Sequence, residues 1–252
     1  MASKRLEVWL RGLLLFLGLS GVIWTANTLP IFWAAVPAKD VAARIQVGDR
    51  FKSGAISDVL ASMQAASEPV IQRGDVRRAE ALMRLRIAEE AVGRMALGEA
   101  DREAAAAADR LKFALALDPA DSFLWLMLYF LEIRRNGFDA RTVDFLNQSY
   151  AAGPLEGWIA LHRNRPALAA FSSLDEALRA KVLAEFATLV DSGFVEAAAI
   201  NLVEVGWEQR HRLLASLANT DMAPREALAK RLSREGLKVS VPGIEMNERL
   251  WR

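Results

Sequence analysis

Apolar and polar positions along this chain follow two regimes that divide near Pro37. From Leu13 to Val36 the sequence reads LLLFLGLSGVIWTANTLPIFWAAV, without a charged residue. A helix needs about 20 apolar residues, at 1.5 Å rise each, to cross about 30 Å of hydrocarbon. The stretch therefore predicts a transmembrane helix over 13–36, bounded by Leu13 and Val36, behind a short tail over 1–12. Trp24 and Trp33 suit the membrane–water interface, where amphipathic rings are favoured. Asn27 and Pro30 weaken the second half, although proline is tolerated near a helix end where freed backbone groups meet water. A cleaved leader has an apolar core of only about 7–15 residues. This core is longer, and Val36-Pro37-Ala38 is a poor small-residue cleavage site, so an uncleaved anchor is expected. A buried core helix would carry a polar face, and two re-entrant halves broken at Pro30 are the remaining alternative.

Beyond Pro37 the pattern becomes amphipathic with a helical period. Val41, Ile45, Val47 and Phe51 predict a short helix broken at Ser53-Gly54, and Ile56, Val59, Leu60 and Met63 predict the next. Glu68-Pro69 and Gly74-Asp75 bound a connector. Ala79, Leu82, Met83, Ile87 and Ala91 line a long helix that Gly98 ends or kinks. Further on, Asp121 or Ser122 caps a helix, Asn136-Gly137 turns the chain, and Val143, Leu146 and Tyr150 line the return, which Gly153-Pro154 stops. A short helix opens at Trp158 and closes near Pro166. Ser173-Leu174-Asp175-Glu176 reads as a capping box ahead of Leu178, Val182, Phe186 and Leu189. Val195–Val203 and Leu213–Leu217 are helical, and a last helix starts at Pro224 and stops at Gly236. The expected organisation is all-α. A linker and first hairpin cover 37–75, further hairpins 76–154, a C-terminal helical region 155–236, and an extended tail 237–252.

One segment carries a more specific pattern. Ala107, Leu111, Ala114 and Pro119 are spaced A-x3-[large apolar]-x2-A-x4-P, and Trp125 and Leu128 follow as W-x2-L. Small alanines let antiparallel helices approach, the large residue fills the gap, and proline ends the helix. In these positions residues 88–154 resemble about two tetratricopeptide repeats. The match departs from the pattern at Tyr129, where a small residue is usual, and at Met95 and Gly98 in the earlier unit. The resemblance implies an array of antiparallel helical hairpins whose stacked faces bind peptides or partner subunits.

Composition narrows the function. Apolar residues make up 53% of the 252, above the usual share of about 45–50%, and the stretch before Pro37 takes much of the excess. Lys4, Arg5 and Arg11 against Glu7 give residues 1–36 a charge of +2, and the whole chain carries +1, so the remainder stands at −1. A nucleic-acid binder would normally show a basic domain or stripe, so this balance argues against that class. No cysteine is present, so thiolate metal sites, thiol nucleophiles and disulfides are ruled out. The two histidines, His162 and His211, lack metal-ligand or triad spacing, and no GxSxG, P-loop or GxGxxG occurs. No catalytic residue, metal or cofactor is expected.

The densest cationic-aromatic cluster is GPLEGWIALHRNRP, with Trp158, His162, Arg163 and Arg165. Arginine pairs with carboxylates and stacks on rings. These four residues, with Trp125 and Tyr129 of the aromatic run, form the candidate partner-binding set. The plainer reading makes the arginines solvated residues of an inter-helix turn and the aromatic run a hairpin core; Arg210-His211-Arg212 is a weaker cluster of the same kind. The WIALHRNRP stretch is similar to helical accessory proteins of bacterial surface-polysaccharide systems. The expected function is thus a membrane-anchored interaction scaffold or accessory subunit of a bacterial envelope assembly, with a protein partner. The alternative is a hydrolase acting on an envelope polymer, which needs an acid/base carboxylate pair. Lys39, Arg44 and Arg50 nearly balance the cations before the span, so the positive-inside count favours a cytoplasmic N-terminus and a periplasmic C-terminal domain only narrowly.

Overall fold

The computed structural model describes residues 2–52, 54–65, 73–93, 97–154 and 156–244. The chain is helical, with no strand among the described residues. It divides into two compact units, Met1–Asp118 and Pro119–Arg252. That boundary falls inside the stretch of the tetratricopeptide-like spacing, between Ala114 and Trp125.

In the first unit, α1 (Ala2–Gln46), α2 (Ala55–Ala65), α3 (Gly74–Gly93) and α4 (Leu97–Leu117) follow one another. The sequence reading divides residues 13–51 into a span and a separate short helix. The structure makes them one element, because α1 runs through Pro30 and Pro37 and the chain turns only at Gly48, with φ +76°. A proline inside a helix costs roughly 3 kcal/mol through its missing N–H and ring clash. The turns after Pro37 offset that cost by packing on α3, where Ala38 and Ala42 are buried. Lys39 also forms an ion pair with Asp75 at the start of α3. The Asp75 carboxyl is raised by partial burial, but bonds from Lys39 and Arg73 outweigh this and hold it at about 2.

Earlier in α1, Trp9–Ala26 is a stretch long and apolar enough to cross a membrane, and all of it is exposed. Leu13 and Trp24 of the anchor lie here. Val36, at the other expected bound, is half exposed. The side chains of Asn27, Pro30 and Trp33 lie outside the described residues, as do the expected breaks at Ser53 and Glu68-Pro69.

Helix α3 is packed against α1, α2 and α4. Ala79, Ala81, Leu82, Met83, Ala88 and Ala91 are consequently all inaccessible. On α4, Ala104, Ala107, Ala108, Leu111 and Ala114 face it. Alanine on both sides lets the helix axes come close. The buried Glu80 is clamped by Arg77 of its own helix at 3.0 Å and by Arg110 of α4 at 3.4 Å. Gly93 ends α3, whereas Gly98, expected to end or kink it, sits in the first turn of α4.

The second unit holds α5 (Ser122–Asn136), α6 (Ala140–Ala152), α7 (Gly157–Ala169), α8 (Glu176–Asp191), α9 (Val195–Glu204), α10 (Arg210–Ala215) and α11 (Met222–Arg234). Asp121 caps α5 by accepting the Leu124 N–H, and Gly137 closes the helix at φ +79°. Asp139 and Thr142 form a capping box at α6. At α8 the cap is Asp175, accepting from Leu178, rather than the expected Ser173, which lies in a 3-10 turn. Pro166, expected near the end of α7, is inside it, and the helix continues three residues further. Pro224 is the third residue of α11 instead of its first; in that turn the missing N–H has no intrahelical acceptor anyway. The end of α5 meets the start of α6, and Ser122 at the start of α5 lies against Ser149 near the end of α6, so the two helices run antiparallel.

Candidate functional site

Helix α7 has two faces. Ile159, Ala160, Ala167 and Leu168 form its apolar stripe, and positions 163 and 164 fall on that stripe by helical period. Arg163 and Asn164 are accordingly buried, Arg163 completely. Trp158, His162 and Arg165, at i, i+4 and i+7, occupy the opposite, solvent-facing side. The sequence reading groups all four named residues on one surface. The structure removes Arg163 from that surface, because a cationic residue in register with the core stripe goes inward when a carboxylate meets it there.

The carboxylate is Glu185 of α8, itself on the buried stripe with Val182, Phe186 and Leu189. Arg163 donates to Glu185 Oε1 through Nε at 2.9 Å and Nη2 at 2.5 Å. Nη1 donates to the Ser149 carbonyl at 2.6 Å and to the Ser122 and Ser149 hydroxyl oxygens at 3.2 Å, and Nη2 donates to the Gly153 carbonyl at 3.0 Å. Those carbonyls lie at the end of α6, where the helix dipole favours a cation. The guanidinium also lies 3.9 Å from the Tyr150 ring centroid. Tyr150 donates its hydroxyl to Glu185 Oε2 at 2.5 Å, and Asn164 donates to the Val182 carbonyl at 3.2 Å while accepting from Asn201 of α9 at 3.2 Å. Ser122 and Ser149 exchange bonds, each hydroxyl donating to the other's carbonyl at 2.9 Å. One connected network thus joins α5, α6, α7, α8 and α9.

Electrostatics follow the burial. Desolvation raises the Glu185 carboxyl above its ordinary value, opposed by Arg163, Tyr150 and Asn164. Desolvation and the neighbouring Glu185 push the Tyr150 hydroxyl well above its usual range. Both Glu185 oxygens already accept hydrogen bonds, so the carboxylate is committed to the fold and has no free lone pair aimed at a substrate. The network is a structural lock. Sequence reasoning missed it because Glu185, Asn164 and Asn201 each look like ordinary helix-surface residues. The one usable signal was register: three polar residues in phase with apolar stripes.

The exposed face carries the rest of the candidate set. Trp158 remains 42% exposed although its ring packs on Phe123 at 4.9 Å. The His162 Nδ1–H donates to the Trp158 carbonyl at 2.8 Å, and its ring meets Trp158 edge-on at 6.3 Å. Arg165 pairs with Glu204 of α9 at 2.5 Å, both solvent-exposed. On α5, Trp125 is half-buried, donates to the Pro119 carbonyl at 2.9 Å and stacks with Phe145 at 6.1 Å. Tyr129 is buried, which raises its hydroxyl to about 12, so it belongs to the hairpin core. Trp158, His162 and Arg165 are brought together; Trp125 and Tyr129 are not part of that stripe.

Among the described residues, no group of three His, Asp or Glu is placed to hold a metal. No protein-family model, curated protein or solved structure matches the chain. The functional reading rests on its own residues.

Proposed function

We propose that this protein is a membrane-anchored interaction scaffold, an accessory subunit that presents tetratricopeptide-like helical hairpins to a protein partner in a bacterial envelope assembly. The observation that carries the reading is the continuity of α1. Trp9–Ala26 is apolar and wholly exposed, and the same helix ends packed against α3. An apolar surface of that length stays in water only at large cost, roughly 25 cal/mol per Å², and a bilayer removes the cost. A lone span forms no transport path, and the second unit's largest polar assembly is closed to substrate. Binding is the role left for the folded units, and the Trp158, His162 and Arg165 stripe has the aromatic and arginine content enriched at protein interfaces. In this proposal the span lies in the inner membrane with residues after it in the periplasm, and the pathway is surface-polysaccharide synthesis or export.

The test has two parts. The chain should stay with membranes after alkaline carbonate washing, and a phosphatase fused after Arg252 should be active while a cytoplasmic reporter there is silent. Affinity capture from gently solubilised membranes should then recover a stoichiometric envelope protein, and Trp158→Ala with Arg165→Ala should abolish that recovery. Release by carbonate removes the anchor. Recovery of the chain alone, or of a partner indifferent to both substitutions, removes the scaffold.

A further inference from the structure

The second unit contains one feature that neither the anchor nor the α7 stripe accounts for. Between α10 and residues 238–242 lies a half-open cleft of about 410 Å³, within the size range of small-molecule sites. Its polar lining is Arg210, His211, Lys238 and Ser240, and Leu214 and Val239 contribute apolar wall. No carboxylate lines it among the described residues. We propose that this cleft binds a phosphate or carboxylate group carried on an apolar body.

The geometry supports a formed site rather than a loose surface. Arg210 Nη1 donates to the Trp207 carbonyl at 3.0 Å, and its guanidinium lies 5.1 Å from the Trp207 ring centroid. These contacts hold the group in place and leave Nε–H and the Nη2 hydrogens for an acceptor, the fork that matches an oxyanion bidentately. The neighbouring Arg212 behaves differently: it turns to Glu176 and the face of Phe171, where its charge is balanced. Lys238 and His211 have no carboxylate partner among the described residues. The opposite wall is anchored too. Val241 is buried, and the Pro242 carbonyl accepts from Arg225 Nη1 at 2.8 Å. Fixed donors, uncompensated positive charge and an apolar wall together select an anion with an apolar part. The site does not depend on the scaffold reading.

The experiment is isothermal titration of the full chain in non-ionic detergent with phenyl phosphate, inorganic phosphate and phenol. Phenyl phosphate should bind saturably, and each of the other two at least about tenfold more weakly, since each lacks one half of the match. Lys238→Gln, an exposed position, should weaken phenyl phosphate roughly tenfold, the loss of one charge-assisted bond. Arg210→Gln should do at least as much, and Arg234→Gln, exposed and outside the cleft, should leave it unchanged. Absence of saturable binding, equal binding of phenol, or indifference to both cleft substitutions overturns the proposal. Repeating the titration in nanodiscs distinguishes two sources of the anion, and either result sustains the site. Loss of phenyl phosphate binding only when phosphatidylglycerol is present identifies a lipid headgroup, and unchanged binding identifies a soluble ligand.

Discussion

Glu185→Gln tests the central lock of the second unit. Glu185 is the carboxylate that neutralises Arg163, which has no exposed surface. The substitution keeps the side chain's shape and removes its charge. Breaking a buried pair at one partner costs about 3–5 kcal/mol, because the other charge remains desolvated. Here the guanidinium keeps the Ser149 and Gly153 carbonyls at the end of α6, a helix end that itself favours a cation. The expected cost therefore lies near the lower limit, about 3 kcal/mol. For a unit spanning 119–252, each kcal/mol moves the midpoint by roughly 3–5 °C, giving a fall of about 10–15 °C. Circular dichroism melting of the full chain in non-ionic detergent measures it. Arg163→Met with Glu185→Leu removes both charges together and should recover at least half of the loss. A Glu185→Gln midpoint within about 2 °C of wild type, or a double variant no better than the sum of its singles, would refute the argument.

Four further outcomes follow from the same geometry. Only two tyrosines are present; burial raises Tyr129 to about 12, and burial with the neighbouring Glu185 pushes Tyr150 well above its usual range, so ultraviolet titration should show no tyrosinate step near pH 10. Because both folded values lie above the ordinary one, stability should fall as pH rises past 10; a step at 10 in the folded chain contradicts the burial. Asp75, held at about 2, contributes stability that is complete above its ordinary value of 3.8 and is lost as pH falls through 2. Carbon-13 titration placing that carboxyl near 3.8 would refute its bonds to Lys39 and Arg73. A Cβ on Gly153 would sit 2.6 Å from the Ser122 Cβ, so Gly153→Ala should cost about 1–3 kcal/mol through overpacking, and an unchanged melting midpoint would show that the two helix ends separate easily. Leu17→Arg, near the middle of the exposed apolar stretch, should oppose insertion by about 2.5–3.5 kcal/mol; unaltered carbonate resistance would count against a spanning helix.

Much of the architecture was legible from local chemistry. Helix caps and breaks depend on a few neighbouring residues, so Gly137 and Gly153 could be placed from the chain alone, and the α5 cap narrowed to Asp121 or Ser122. The stripe Leu178, Val182, Phe186 and Leu189 is buried as its period requires. The apolar run likewise determined a helix able to span a bilayer, because length and hydropathy act without tertiary partners. Tertiary structure decided matters that compete with local preference. Pro37 disfavours helix locally, yet packing of Ala38 and Ala42 on α3 carries α1 past it. Arginine prefers water, yet Arg163 is buried because α6 offers carbonyls and α8 offers Glu185 at one point in space. Those partners stand 10 to 22 residues away in the chain, and their convergence is a property of helix packing that no single segment encodes.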